Sequence, residues 1–210
     1  MIKIISHRGY WTNLDEKNQK NAFKRSWDHG FGIETDIRDF NQNLVISHDM
    51  ASPNCLHIDD FFNLYKEFGK NLPLALNIKS DSLAILLKEK INKFQIDNYF
   101  LFDMSIPDTL SYLKSNMIFY SRQSELEIDP ILYQTTHGIW LDAFESEWYS
   151  LDIIDTHLYK GKKVTIVSPE LHGRDHLRFW NSLKTRKFHL KENIMLCTDF
   201  PLDAQTFFYE

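Results

Sequence analysis

The sequence predicts an α/β fold, a compact (β/α)8 TIM barrel forming a single domain. Three observations predict it. Apolar runs rich in β-branched and aromatic residues alternate with helical segments along all 210 residues, as parallel strands joined by right-handed crossovers require. Most of these runs are unbroken, as in strands buried on both faces. Most also end on a polar residue, and a barrel gathers its strand ends at one mouth, where active sites sit.

The elements follow in order. Strand-like runs lie at 2–7, 33–38, 73–78, 99–103, 117–122, 138–143, 163–168 and 194–198. A helix from Asn18 to Gly30 has a cap candidate in Asn18 and a stop in Gly30. Further helices are expected from Asp59 to Phe68, closed by Gly69, and from Asp81 to Phe94, where Leu83, Leu86, Leu87 and Ile91 share a face. Segments 107–114, 147–160 and 175–187 complete the set. The polar strand ends are His7, Glu34 with Asp36, Lys79, Asp103, Arg122, Asp142, Ser168 with Glu170, and Asp199. No glycine-rich phosphate loop follows any strand, which argues against an open nucleotide-binding sheet. Internal repeats and linkers are absent, so one domain over 1–210 is expected.

Composition narrows the function. Hydrophobic residues make up 43% and charged residues 25%, ordinary values for a globular chain. The net charge of -5 offers no basic field for nucleic acid. Two cysteines are too few for a disulfide framework and fit a reducing compartment. The N-terminus runs straight into a strand, so no signal peptide is expected. No apolar run is long enough to span a membrane. A cytoplasmic protein with a small-molecule partner is the expectation.

The chemistry concentrates near the start. Ile4-Ile5-Ser6-His7-Arg8-Gly9 and Val45-Ile46-Ser47-His48-Asp49 each carry an apolar strand into Ser-His. Between them, Gly32-Ile33-Glu34-Thr35-Asp36-Ile37-Arg38 places Glu34 and Asp36 on one face of a strand. Two such carboxylates at a buried strand end are costly to keep ionised without a cation. A hard divalent ion with oxygen ligands answers that cost, and zinc-type ligand spacing is missing. Arg8 and Lys79 add positive charge suited to phosphate. Two histidines beside a metal and two cations suit phosphoryl chemistry, one imidazole taking a proton and the other giving one. His29, His57, His157, His176 and His189 lack such context and are expected at the surface or in loops.

These residues resemble the glycerophosphodiester phosphodiesterase family, of the same barrel superfamily as the phosphatidylinositol-specific phospholipases C. The resemblance runs through His7-Arg8-Gly9, Asn18 with Ala22-Phe23, Gly32 to Asp36, Val45 to Asp49, Lys79 and Thr198-Asp199-Phe200-Pro201. It implies a metal-dependent phosphodiesterase acting on a glycerophosphodiester or a related polyol or sugar diester. His7 and His48 would be the acid/base pair, Glu34 and Asp36 metal ligands, and Arg8 and Lys79 phosphate contacts. The ion would be magnesium or calcium, with manganese as a further candidate.

The departures from the family pattern matter. A glutamate is usual two residues before the lysine; Asn77 stands there. Asn77 can still ligate through its amide oxygen, or Asp142 or Glu170 can complete the site. The short connection from Asp49 to Leu72 leaves little room for the family's inserted subdomain, and Glu16-Lys17 replaces a Pro-Glu pair. On the later strands Asp103, Arg122, Trp140, Asp142, Glu170 and His172 form a set suited to a hydroxylated moiety, or one that only packs around the rim. The competing reading is a catalytically weak barrel that binds a phosphorylated ligand or partner.

Overall fold

A computed structural model describes residues 1–210. The chain divides into two compact units, Ser6–Phe119 and Met1–Ile5 with Tyr120–Glu210. Strand β1 (Lys3–His7) ends in the first unit.

The rest of the first unit contains α1 (Lys20–Asp28), β2 (Gly32–Phe40), β3 (Asn43–Ile46), β4 (Leu56–His57), α2 (Ile58–Phe68), β5 (Leu74–Ile78), α3 (Ala84–Phe94), β6 (Tyr99–Phe102) and α4 (Ile106–Lys114). β2, β5 and β6 are parallel, with Asp36 opposite Asn77 and Asn77 opposite Phe102. β3 turns back antiparallel on β2, with Ile37 opposite Ile46. Asn41 and Gln42 both take positive φ at that turn (47° and 63°), which matches the twist of a tight hairpin. Aromatic side chains hold the helices down. Phe23 of α1 meets Phe61 of α2 edge-on at 4.9 Å, and Trp27 meets Tyr65 at 5.9 Å.

The second unit contains β7 (Tyr120–Gln123), β8 (Gly138–Leu141), α5 (Asp152–Tyr159), β9 (Lys163–Val167), α6 (Leu177–Thr185), β10 (Ile194–Thr198) and α7 (Pro201–Tyr209). Its strands run parallel in the order β7-β8-β9-β10. Trp180 of α6 packs on Phe207 and Phe208 of α7, each at 5.6 Å. His157, expected at the surface, is buried at 4% exposure on α5. Its ring fits there because both nitrogens are paired. Nδ1 lies 2.7 Å from the Tyr133 hydroxyl and Nε2 lies 2.7 Å from Gln123 Oε1. Gln123 turns its own amide N–H to the Ile128 carbonyl, so its oxygen accepts from Nε2–H. Burial, helped by Lys160, lowers the His157 pKa to about 4, so the ring is neutral.

No helix is long and apolar enough to cross a membrane. No disulfide joins the two cysteines; Cys197 is buried and Cys55 partly exposed.

Candidate active site

Strand β2 organises the site. Glu34 and Asp36 lie on it at 2% and 0% exposure. The chain leaving each neighbouring strand is pinned to its backbone. The Arg8 N–H donates to the Glu34 carbonyl at 2.9 Å, Ser47 N–H to Asp36 at 3.0 Å, and Lys79 N–H to Ile37 at 2.9 Å. The segments carrying His7-Arg8, Ser47-His48 and Lys79 are thereby all registered against one strand.

The side chains then converge on the two carboxylates. Arg8 Nε lies 3.1 Å from Asp36 Oδ2, and Lys79 Nζ lies 3.4 Å from Oδ1. Asn18 Nδ2 donates to Asp36 Oδ2 at 2.8 Å, while Thr35 Oγ1 donates to Asn18 Oδ1 at 2.8 Å. Glu34 Oε2 accepts the Arg8 backbone N–H at 3.2 Å and lies 3.9 Å from His7 Nε2. Burial, reinforced by the Asp36 charge, pushes the Glu34 carboxyl above the ordinary range against the pull of Arg8 and Lys79. Arg8 itself sits at φ 58°, and Gly9 follows at φ 88°. A Cβ on Gly9 would meet the Ala22 Cβ at 2.8 Å, so only glycine lets the chain turn here against α1.

His48 is 42% exposed and oriented by its own loop. Its Nδ1 lies 2.9 Å from Asp49 Oδ1, and Arg38 Nη2 donates to its backbone carbonyl at 3.1 Å. The hydrogen bond from His48 holds the Asp49 carboxyl below its usual range, so Asp49 is an acceptor and Nδ1 carries the proton. That leaves His48 Nε2 as the acceptor nitrogen of the ring.

The expected metal ligands divide between the units. Glu34, Asp36 and Asn77 stand on β2 and β5 of the first. Asn77 Oδ1 is buried with no hydrogen-bond partner. Asp142 belongs to the second unit, where its Oδ1 lies 2.7 Å from His172 Nε2 and accepts the Ala143 N–H at 2.8 Å. No group of three or more His, Cys, Asp and Glu side chains is arranged to hold a metal ion.

The other later-strand residues have local partners. Arg122 pairs with Glu127 and stacks over Phe144 at 5.5 Å. Trp140 is 4% exposed, in the core. Glu170 accepts from the Ser168 and Thr198 hydroxyls and from the Asp199 N–H at 3.2 Å, tying the loop after β9 to the end of β10. A cavity of about 360 Å³ beside the start of α1, lined by Asn21, Cys55 and His57 among others, includes none of these side chains.

A scan against protein-family models and a search of characterised proteins by sequence both find no match. Solved structures do match. A glycerophosphodiester phosphodiesterase from Agrobacterium tumefaciens superposes with TM-score 0.75 at 13% identity, over 100% of each chain. One from Thermotoga maritima gives 0.70 at 15% identity, over 98% of each chain. A phosphodiesterase from Oleispira antarctica, solved with its product sn-glycerol-3-phosphate, gives 0.70 at 12% identity, over 99% of this chain and 97% of that one. The fold class is the α/β, (β/α)8 barrel.

Three residues of the site make contacts that the sequence pattern does not assign. Asn18 reads as a helix cap, yet the N-cap of α1 is Gln19, and the Asn18 amide reaches Asp36 instead. Its φ of 61° takes it out of the helical path and turns the side chain to the strand. Arg38 and Asp49, which fix His48, stand at the ends of the Gly32–Arg38 and Val45–Asp49 segments, where the sequence gives them no such role. Only the hairpin register, with Arg38 opposite Val45, brings Arg38 beside the His48 segment.

Proposed function

We propose that this chain is a metal-dependent phosphodiesterase that hydrolyses a glycerophosphodiester or a related polyol or sugar phosphodiester. The observation that carries the reading is the registration of His7, Arg8, His48 and Lys79 against β2, the strand that bears Glu34 and Asp36. The fold shared with three phosphodiesterases, one of them holding sn-glycerol-3-phosphate, supports it.

A divalent ion fits the residues present. Asn77 Oδ1 is a buried oxygen without a partner, directly opposite Asp36 in the β2–β5 register. Together with the Glu34 and Asp36 carboxylates it forms the all-oxygen donor set that magnesium, calcium or manganese takes. Glu34, Asp36 and Asn77 would hold the ion, which supplies charge stabilisation at the nonbridging phosphate oxygens.

The chain's own residues do the rest. Arg8 offers a planar fork and Lys79 a point charge to the phosphate, which fixes its position and balances its charge. One imidazole takes the proton from the attacking oxygen, and the other delivers a proton to the leaving alkoxide. Asp49 keeps the His48 proton on Nδ1, so Nε2 faces the reaction. The attacking oxygen is a hydroxyl of the alcohol itself, vicinal to the ester and held about 3 Å from phosphorus. Attack expels the other alcohol and leaves a cyclic phosphate, which water then opens.

A substrate panel tests the reading. A glycerol phosphodiester should be hydrolysed with magnesium and not in excess chelator, and its 2-deoxy analogue should be inert. Comparable turnover of the two would replace neighbouring-group attack with direct attack by water. Turnover undiminished by chelator, with the fold intact, would remove the metal from the mechanism.

A further inference from the structure

Asp36 is fully buried, and its carboxylate is met by two cations and an amide donor. Asn18 donates to Oδ2, while Arg8 beside Oδ2 and Lys79 beside Oδ1 pair with the carboxylate by charge alone, leaving Oδ1 without a hydrogen bond. Even with both carboxylates of β2 ionised, the two fixed cations match them, and the cluster needs no further ion for balance. A divalent ion at Glu34, Asp36 and Asn77 would set four positive charges against at most two negative ones at a buried strand end. Uncompensated charge is expensive there, so the ion cannot simply add to the arrangement. Something positive has to leave Asp36. Arg8 and Lys79 can do so, since their side chains are 20% and 21% exposed, whereas Asp36 cannot follow. Asn18 carries no charge and stays.

We propose that Arg8 and Lys79 are exchangeable counter-ions: they occupy the Asp36 carboxylate in the unloaded protein, a divalent cation displaces them, and the displaced pair receives the phosphate. The proposal rests on the divalent-ion reading above. It has two consequences. Cation and phosphate bind with positive cooperativity, and the coupling is reciprocal because it is a linkage between two sites. Lys79 also opposes the cation it works beside: in the absence of phosphate it competes for Asp36. A lysine that stood clear of the Asp36 carboxylate and met only the phosphate would leave cation affinity nearly unchanged.

Calorimetric titration of the full chain with magnesium, with and without inorganic phosphate, tests this. Lys79→Met should bind magnesium about 10-fold more tightly than wild type without phosphate, in the usual range of such couplings. Lys79→Arg, which keeps the charge, should match wild type. Phosphate should tighten magnesium binding in wild type and do so less in Lys79→Met. Equal or weaker magnesium affinity in Lys79→Met would overturn the counter-ion exchange while leaving the divalent-ion reading in place. Absence of magnesium binding in wild type and all variants would overturn the reading beneath it as well. If Lys79→Met folds poorly, thermal melts of Lys79→Gln give the same answer. Magnesium should raise its melting temperature more than that of wild type, and equal rises would contradict the proposal.

Discussion

Asn18 and Asp36 are joined by a 2.8 Å hydrogen bond across 18 residues of sequence, from the turn before α1 to the middle of β2. The bond has a second half. Asn18 Oδ1 accepts from Thr35, so both ends of the amide are engaged and its orientation is fixed. Asn18→Ala should therefore cost about 1–3 kcal/mol, the penalty for leaving buried partners unpaired. Urea unfolding should show a lower midpoint at unchanged slope. An unchanged midpoint would mean that Asp36 is held by Arg8 and Lys79 alone.

Gly9 is the second structural test. A side chain there meets both the φ of 88° and the Ala22 Cβ at 2.8 Å. Gly9→Ala should destabilise by more than about 1 kcal/mol, the least that a strained left-handed alanine adds. It should also lower activity, because the neighbouring Arg8 is displaced. A stable and fully active Gly9→Ala would show that this turn relaxes freely.

The fold was readable largely because its strands are buried on both faces, so their runs stand out from composition alone. β5 and β10 fall within or beside their expected ranges for this reason. The helix expected over 147–160 shortens to Asp152–Tyr159, because Trp148 Nε1 donates to the Asp142 carbonyl and Glu125 accepts from the Phe144 and Glu145 N–H groups, holding the preceding stretch as a loop. The short β4 and the terminal α7 carry little period of their own and were not expected. In the site, residue types at strand ends marked His7, Glu34, Asp36, His48 and Lys79. Composition could not tell that Asp142 and His172 pair with each other, or that Glu170 is engaged by two hydroxyls. Those are contacts between loops distant in sequence, and no spacing rule encodes them.

His157 predicts a pH dependence of stability. Its pKa is about 4 in the fold against an ordinary 6.5, so the unfolded chain binds the extra proton first. The contribution of the neutral ring is complete above pH 6.5 and is lost as pH falls toward 4. The loss should amount to about 3 kcal/mol across that window. His157→Gln should be less stable than wild type at neutral pH and should close the gap by pH 4. A constant difference across the window would show that His157 titrates normally.

Phosphorus NMR of a glycerophosphodiester incubated with magnesium tests the central claim most directly, comparing wild type with His7→Ala and His48→Ala. Wild type should convert the diester to a glycerol phosphate monoester. Each single variant should lose about 10²- to 10⁴-fold in kcat, the usual loss for an acid or base, and the double variant should be little slower than the slower single. Wild-type kcat in either single variant, or no conversion by the wild-type chain, would contradict the account.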